Sequence, residues 1–323
     1  MDKLNIVRTL ACAAIGLTLC IGSAQAAAPQ NVVIADQFGP GHLVTLVMKE
    51  RGMLARRFPS TTFEWRVITS GGLIRDGMLS DRIQIGLYAP PPFLLGLDKG
   101  VKWKIVAGAA TYDQWLVSRD SKIRSARDLT SDNRKQIAVV GLDSFPAIVV
   151  KKLSQREFGD PKALDSQLVM MPPPQAIQAI LTEQLAGAVL PPPFMVLAVD
   201  GGAHIVERRV FSGPVTNNFY VMMTSFHDRY PEFAKGFYDA VGEAVRFIRE
   251  RPDEAFQLLA KEEGGKKSVE MYRDLTNRAG TEFGTTPHRI LEVGQFMKEI
   301  GLIKAAPHAI QDISFPSLGG KGN

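Results

Sequence analysis

The sequence predicts an α/β protein of two lobes, each a mostly parallel sheet flanked by helices. Three observations carry this. Short apolar runs alternate with stretches of helical spacing, as in parallel sheets crossed by helices. The alternation restarts near Trp115. Finally, two stretches nearly repeat: MLSDRIQIGLYAPPPF from Met78 to Phe93, and ILTEQLAGAVLPPPF from Ile180 to Phe194. Aligned from Leu79 and Leu181, Ser80 matches Thr182, Asp81 matches Glu183, Ile83 matches Leu185 and Leu87 matches Val189. After one extra residue, Ala89, both run into Pro-Pro-Pro-Phe. Each copy reads as a helix end, a short apolar strand and a rigid proline turn. The copies lie far enough apart to sit one per lobe.

The elements follow in order. Asn31 to Ala35 is an apolar strand, followed by the turn Asp36 to His42. Leu43 to Leu54 has helical spacing. Thr62 to Thr69 is a second strand, and Gly71-Gly72 opens the helix that carries Met78 and Leu79. Ile83 to Leu87 is a third strand, Phe93 to Leu97 begins a helix, and Lys104 to Ala110 is a fourth strand. After the restart, Trp115 to Ser118 is a strand and Asp120 to Leu129 is polar and turn-rich. Gln136 to Val140 is a strand, and Pro146 to Leu153 a helix. Gln167 to Met170, Ala188 to Leu190, Ala203 to Val206 and Asn218 to Thr224 are strands, with a helix at Gln175 to Glu183. Helices then cover Glu232 to Glu250, Asp253 to Lys261, Val269 to Arg278 and Pro287 to Ile300. The Gly-rich tail, Leu318 to Asn323, reads as disordered.

Length and composition fit this plan. The chain has 323 residues, 45% hydrophobic and 22% charged, enough for a core and unlike a disordered chain. The first 26 residues read as a cleavable secretory signal. Lys3 and Arg8 precede the apolar run Leu10 to Ile21, and Ala24-Gln25-Ala26 is a small-x-small cleavage site. Both cysteines, Cys12 and Cys20, fall inside it. The mature chain is therefore expected to lack disulfides, thiolate metal sites and a cysteine nucleophile. Leu19 before Cys20 disfavours lipidation. Removing Lys3, Arg8 and Asp2 leaves 36 basic and 32 acidic residues, a net +4. That mild excess would help attract an anion. The basic residues are scattered with no aromatic interleaving, which argues against nucleic acid as a partner.

The segments SGGLIRDGMLSDRIQIGLYAPPPF (Ser70 to Phe93), SKIRSARDLTSDNRKQIAVVGLDS (Ser121 to Ser144), PPPQAIQAILTEQLAGAVLPPPF (Pro172 to Phe194) and FGTTPHRILEVGQFMKEIGLI (Phe283 to Ile303) come in that order. With the signal, this order resembles the nitrate/sulfonate/taurine-type substrate-binding proteins of bacterial ABC importers, a branch of the type II periplasmic binding proteins. The resemblance covers nearly all of the mature chain. It implies two lobes joined by two hinge crossings, here near Trp115 and near Phe219 to Val221. Lobe one would then be 27–114 together with 219–323, and lobe two 115–218. It further implies a monomer that closes on a small molecule and docks on a membrane permease, with no cofactor. The chain also departs from the family. Such proteins often carry Gly-x-(Ile/Val)-Asp-(Ala/Ile) where this one has Asp81-Arg82-Ile83-Gln84-Ile85 and Glu183-Gln184-Leu185-Ala186-Gly187.

Ligands of open α/β sheets sit beyond the carboxyl ends of strands, where helix starts offer free N–H groups. The candidate ligand-binding residues are therefore loop residues. Asp36, Gln37, Phe38 and His42 follow the first strand, where Gly39 and Gly41 allow a close backbone approach. Ser70, Gly71 and Gly72 follow the second. Asp143 and Ser144 follow a strand of lobe two and could cap the next helix. Tyr88 stands beside the first proline turn. Pro192, in the second, would shape an apolar wall. Tyr112, Trp115, Asn218 and Tyr220 lie at the expected crossings. The five histidines have no metal-like spacing, so no metal site is expected. No arginine is placed to clamp a sulfonate.

The expected function is a periplasmic solute-binding protein for a small organic solute, an anion such as a sulfonate or an aromatic or aliphatic carboxylate. Two alternatives stay open. One is a sensor subunit that presents ligand to a membrane kinase. The other is an enzyme of thiamine-pyrimidine synthesis on the same fold. Relatives with that activity depend on a cysteine-rich motif, which a mature chain without cysteine could not supply. No Gly-x-Ser-x-Gly, His-Glu-x-x-His or P-loop is present.

Overall fold

The structure, a computed structural model, describes residues 28–37, 39–68, 71–130 and 136–323. The signal, Cys12, Cys20, Phe38 and Ser70 lie outside the described residues. In chain order come β1 (Asn31–Asp36), α1 (Pro40–Glu50), α2 (Met53–Arg57), β2 (Thr62–Val67), α3 (Gly71–Leu79), β3 (Ile85–Tyr88), α4 (Pro90–Asp98) and β4 (Trp103–Tyr112). Then follow β5 (Trp115–Ser118), β6 (Gln136–Val139), α5 (Phe145–Phe158), β7 (Leu168–Met170), α6 (Pro173–Leu181), β8 (Leu185–Leu190), α7 (Phe194–Asp200) and β9 (His204–Glu207). The chain closes with β10 (Val215–Met223), α8 (Thr224–Arg229), α9 (Pro231–Glu250), α10 (Pro252–Glu262), α11 (Val269–Arg278), β11 (Glu282–Phe283), α12 (Ile290–Glu299) and α13 (Ile310–Ile313).

Two mixed sheets organise the fold. The first has strand order β11-β4-β10-β3-β1-β2, the second β7-β6-β8-β5-β9. β1, β2 and β3 run parallel, as do β6, β7 and β8. The antiparallel members include the strands that pass between sheets, because a chain returning from the other sheet enters in the reverse direction. It leaves the first sheet after Tyr112 and enters the second at Trp115. It leaves the second after Glu207 and re-enters the first at Val215. The expected second crossing at Phe219 to Val221 is corrected. Those residues sit mid-strand in β10, paired with β3 on one side and β4 on the other.

Local chemistry explains most boundaries. In α9 the buried residues Phe233, Phe237, Ala240, Val241, Ala244 and Ile248 recur at helical spacing. Phe237 sets its ring edge-on to Tyr220, 5.2 Å between centroids. Burying such a side chain is worth roughly 1.5–3 kcal/mol. The helix expected over Leu43 to Leu54 breaks instead at Gly52, whose φ of 58° lies in the left-handed region.

The repeat is structural as well as sequential. α3 ends with Asp81 N–H bonded to Met78 O and Arg82 N–H to Gly77 O. α6 ends with Glu183 N–H bonded to Ile180 O and Gln184 N–H to Ala179 O. This is the same Schellman closure in both copies. Asp81 and Glu183 both take the left-handed conformation, φ 56° and 57°.

The copies diverge at the prolines. Pro90, Pro91 and Pro92 are not a turn but the first turn of α4, where missing N–H groups cost nothing. Pro191 to Pro193 do form a turn ahead of α7. The tail is a further correction. Asn323 O accepts from Ile290 N–H (2.7 Å) and Asn323 Oδ1 from Arg289 N–H (2.9 Å), so these contacts tie the tail to the start of α12. Composition suggested disorder because it does not show these partners.

Candidate functional site

The carboxyl ends of β1, β2 and β3 share one edge of the first sheet with the end of β4 and the start of β10. Pairing places Tyr88 opposite Phe219 and Tyr112 opposite Val215. At this edge α1 begins with Pro40 at its first position and no residue between it and Gly39, φ 130°. Gly41 lies so close to Asn218 that an added Cβ would fall 2.6 Å from the Asn218 Cβ. The approach brings Gly41 N–H to Asn218 Oδ1 at 3.1 Å, and Tyr112 OH donates to the same oxygen at 3.1 Å. One buried amide thus ties the start of α1 to a strand that leads to the second sheet.

Beside it, His42 is held between two carboxylates. Nδ1 lies 2.6 Å from Asp36 Oδ2 and Nε2 lies 2.6 Å from Glu262 Oε2. Burial disfavours a charged ring, but hydrogen bonds and charge from Asp36 and then Glu262 outweigh it. They push the pKa from 6.5 up to about 9. His42 is therefore a cation at neutral pH whose charge is already matched by its neighbours. Among the described residues no group of three metal-ligating side chains could hold a metal ion.

Other predicted residues are turned inward. Tyr88 is buried, its ring 5.0 Å from Trp103 and its hydroxyl donating to Gly71 O at 3.2 Å. Tyr220 is fully buried, with its hydroxyl 2.8 Å from Thr45 Oγ1. Burial raises the pKa of Tyr112, Tyr88 and Tyr220 above the ordinary phenol range. Gln37 Nε2 donates to Leu87 O. Gly71 and Gly72 open α3, and their N–H groups precede any intrahelical acceptor. Gly41 N–H, by contrast, is already taken by Asn218.

On the second sheet, Ser144 occupies the N-cap position of α5, yet its side chain does not cap. The hydroxyl donates backwards to Gly141 O at 2.5 Å. Asp143 is exposed, so the capping expectation for this pair is corrected. Pro192 is buried. Trp115 is covered by Arg208, whose guanidinium carbon lies 4.2 Å from the ring centroid. Asp113 and Arg209 pair across the two crossings at 3.6 Å. Burial raises the Asp113 pKa, with Arg209, Arg208 and Arg289 opposing.

Sequence reasoning missed Glu262 and Thr45. Glu262 is 220 residues from its partner His42, and no local pattern signals such a contact. A second omission is apolar. Val67 and Leu73 stand exposed at the carboxyl edge of the first sheet, and Val140, Leu142 and Met170 at that of the second.

The model of the NMT1-like family matches residues 41–261. The chain belongs to the NMT1-like family. No curated protein sequence matches this NMT1-like chain. Among solved structures it is similar to the periplasmic aliphatic sulphonate binding protein SsuA from Escherichia coli. The TM-score is 0.70 at 16% identity, over 90% of this chain and 99% of that one. It is also similar to the Candida albicans CA3427 gene product, described as having the generic periplasmic binding protein fold. There the TM-score is 0.66 at 14% identity, over 92% and 96%. A third similarity is to the periplasmic nitrate-binding protein NrtA from Synechocystis PCC 6803, TM-score 0.60 at 17% identity, over 75% and 68%. The NMT1-like chain therefore has the periplasmic-binding-protein fold.

Proposed function

We propose that this NMT1-like protein is a periplasmic solute receptor of an ABC importer. It captures a small organic solute between the carboxyl edges of its two sheets and delivers it to a membrane permease. The segments Asp113–Gln114 and Arg208–Pro214 act as the hinge. The observation that carries the reading is that both sheets end in the same kind of edge. Each sheet ends in helix starts and exposed apolar side chains, Val67 and Leu73 on one, Val140, Leu142 and Met170 on the other. The likeness to sulphonate- and nitrate-binding proteins supports an import role.

The solute carries a compact negative group and an apolar body, as aromatic or aliphatic carboxylates and sulfonates do. The N–H groups at the start of α3 suit the first, and the apolar edges suit the second. Mass spectrometry of the molecule that co-purifies with the exported protein tests this directly. An acid with a ring or alkyl body is expected. A thermal-shift screen of carboxylates and sulfonates in which nothing stabilises the ligand-stripped chain would overturn the reading.

A further inference from the structure

A cavity of ≈ 950 Å³ opens on the first-sheet side between α9 and the segment 281–288. None of the cleft-edge groups described above lines it. Gly242 keeps the helix wall open, since a Cβ there would sit 4.0 Å from Thr285 Cγ2 and nearer to nothing else. Arg246 and Arg249 follow on the same helix, three residues apart, so both project along one face. Among the described residues neither arginine has a carboxylate partner. Among the described residues Thr281 Oγ1, on the opposite wall, is buried and has no hydrogen-bond partner.

The other charged lining groups are Arg57, already paired with Glu243, Asp239, already paired with Lys235, and Glu282. With Arg57 and Asp239 matched by those partners, Arg246 and Arg249 share the cavity with Glu282 alone, so one positive charge is left unmatched. Two like charges at helical spacing repel each other, and a shared anion would relieve that repulsion. Arginine forks match phosphate oxygens in pairs, and a hydroxyl can donate to a third oxygen.

We propose that this cavity is a second ligand site, separate from the cleft between the sheets. It takes phosphate or a small molecule carrying a phosphate, held by Arg246 and Arg249 with Thr281 as hydroxyl donor. The test is calorimetric titration of inorganic phosphate into the purified full chain. Saturable binding that weakens with added sodium chloride is expected. Arg246→Gln with Arg249→Gln should lower the affinity about tenfold or more, and Thr281→Val by a smaller factor. Arg229→Gln, at an exposed arginine ending α8 away from the cavity, should leave phosphate affinity unchanged. The melting temperature in phosphate-free buffer, measured for each variant, separates lost binding from lost folding. Unchanged phosphate affinity in the folded double arginine variant would overturn the proposal. So would absence of binding at millimolar phosphate, or an equal loss of affinity in Arg229→Gln.

Discussion

His42 Nδ1 lies 2.6 Å from Asp36 Oδ2, and this bond fixes the start of α1 against the end of β1. The pair recruits Glu262 from the far end of α10 on the other ring nitrogen. Two carboxylates around one imidazole make a charged knot at the carboxyl edge of the first sheet.

The knot predicts a pH dependence. The ring titrates at 6.5 when unfolded and at about 9 when folded. A raised pKa stabilises the fold fully below the unfolded value, and the contribution fades as pH rises through about 9. At one pKa unit per ~1.4 kcal/mol, the stake is of the order of 3 kcal/mol at most. Urea denaturation of the wild type should show stability falling between pH 6.5 and pH 9. In His42→Gln that slope should shrink. An identical slope in the variant would remove His42 from the account.

Gly41→Ala should damage both stability and ligand binding. The new Cβ would fall 2.6 Å from the Asn218 Cβ and 2.9 Å from Leu87 Cδ2. Overpacking of this kind costs about 1–3 kcal/mol. Thermal unfolding with and without the co-purified ligand measures both effects. A variant with the wild-type melting temperature would show that the backbone gives way.

Asn218→Ala leaves the Gly41 N–H and the Tyr112 hydroxyl without their shared acceptor. An unsatisfied buried donor costs about 1–3 kcal/mol. Because one of its contacts lies in the strand next to a crossing, ligand affinity should fall as well. Asn218→Asp keeps an acceptor and should retain more stability than the alanine variant, as read by denaturant midpoints.

The two helix ends give a prediction of the opposite sign. Asp81 and Glu183 hold φ 56° and 57°, a conformation that costs a side chain roughly 1–2 kcal/mol. Glycine removes that cost but is freer when unfolded, so the net gain for Asp81→Gly or Glu183→Gly is a few tenths to about 1 kcal/mol. Both should raise the melting temperature, and alanine at either position should lower it.

Met170→Glu and Leu142→Asp alter exposed side chains at the edge of the second sheet. They should weaken binding of an acid with an apolar body while leaving the melting temperature of the empty protein unchanged. Equal affinity in both variants would place the ligand elsewhere.

The sequence by itself determined the α/β class, the two sheets and the equivalence of the two repeated units. Those depend on apolar period and helix-end chemistry, which neighbouring residues carry. The doubled helix end takes the same backbone shape at two different residues, Asp81 and Glu183, because its Schellman bonds are made by the main chain. The sequence also singled out Asp36 and His42 around the turn after the first strand and Tyr112 and Asn218 at the expected crossings, and the structure gathers all four at one edge of the first sheet. It missed that Pro90 to Pro92 form the first turn of a helix, since either role suits a run without N–H groups. It missed the docked tail for a different reason, because its partners Pro287, Arg289 and Ile290 are remote in sequence. Only the tertiary structure decided which polar groups meet. Glu262 reaches His42, Thr45 reaches Tyr220, and Asn218 reaches Gly41 across 177 residues. Sheet order and helix docking set such contacts, and both arise from burying the core as a whole.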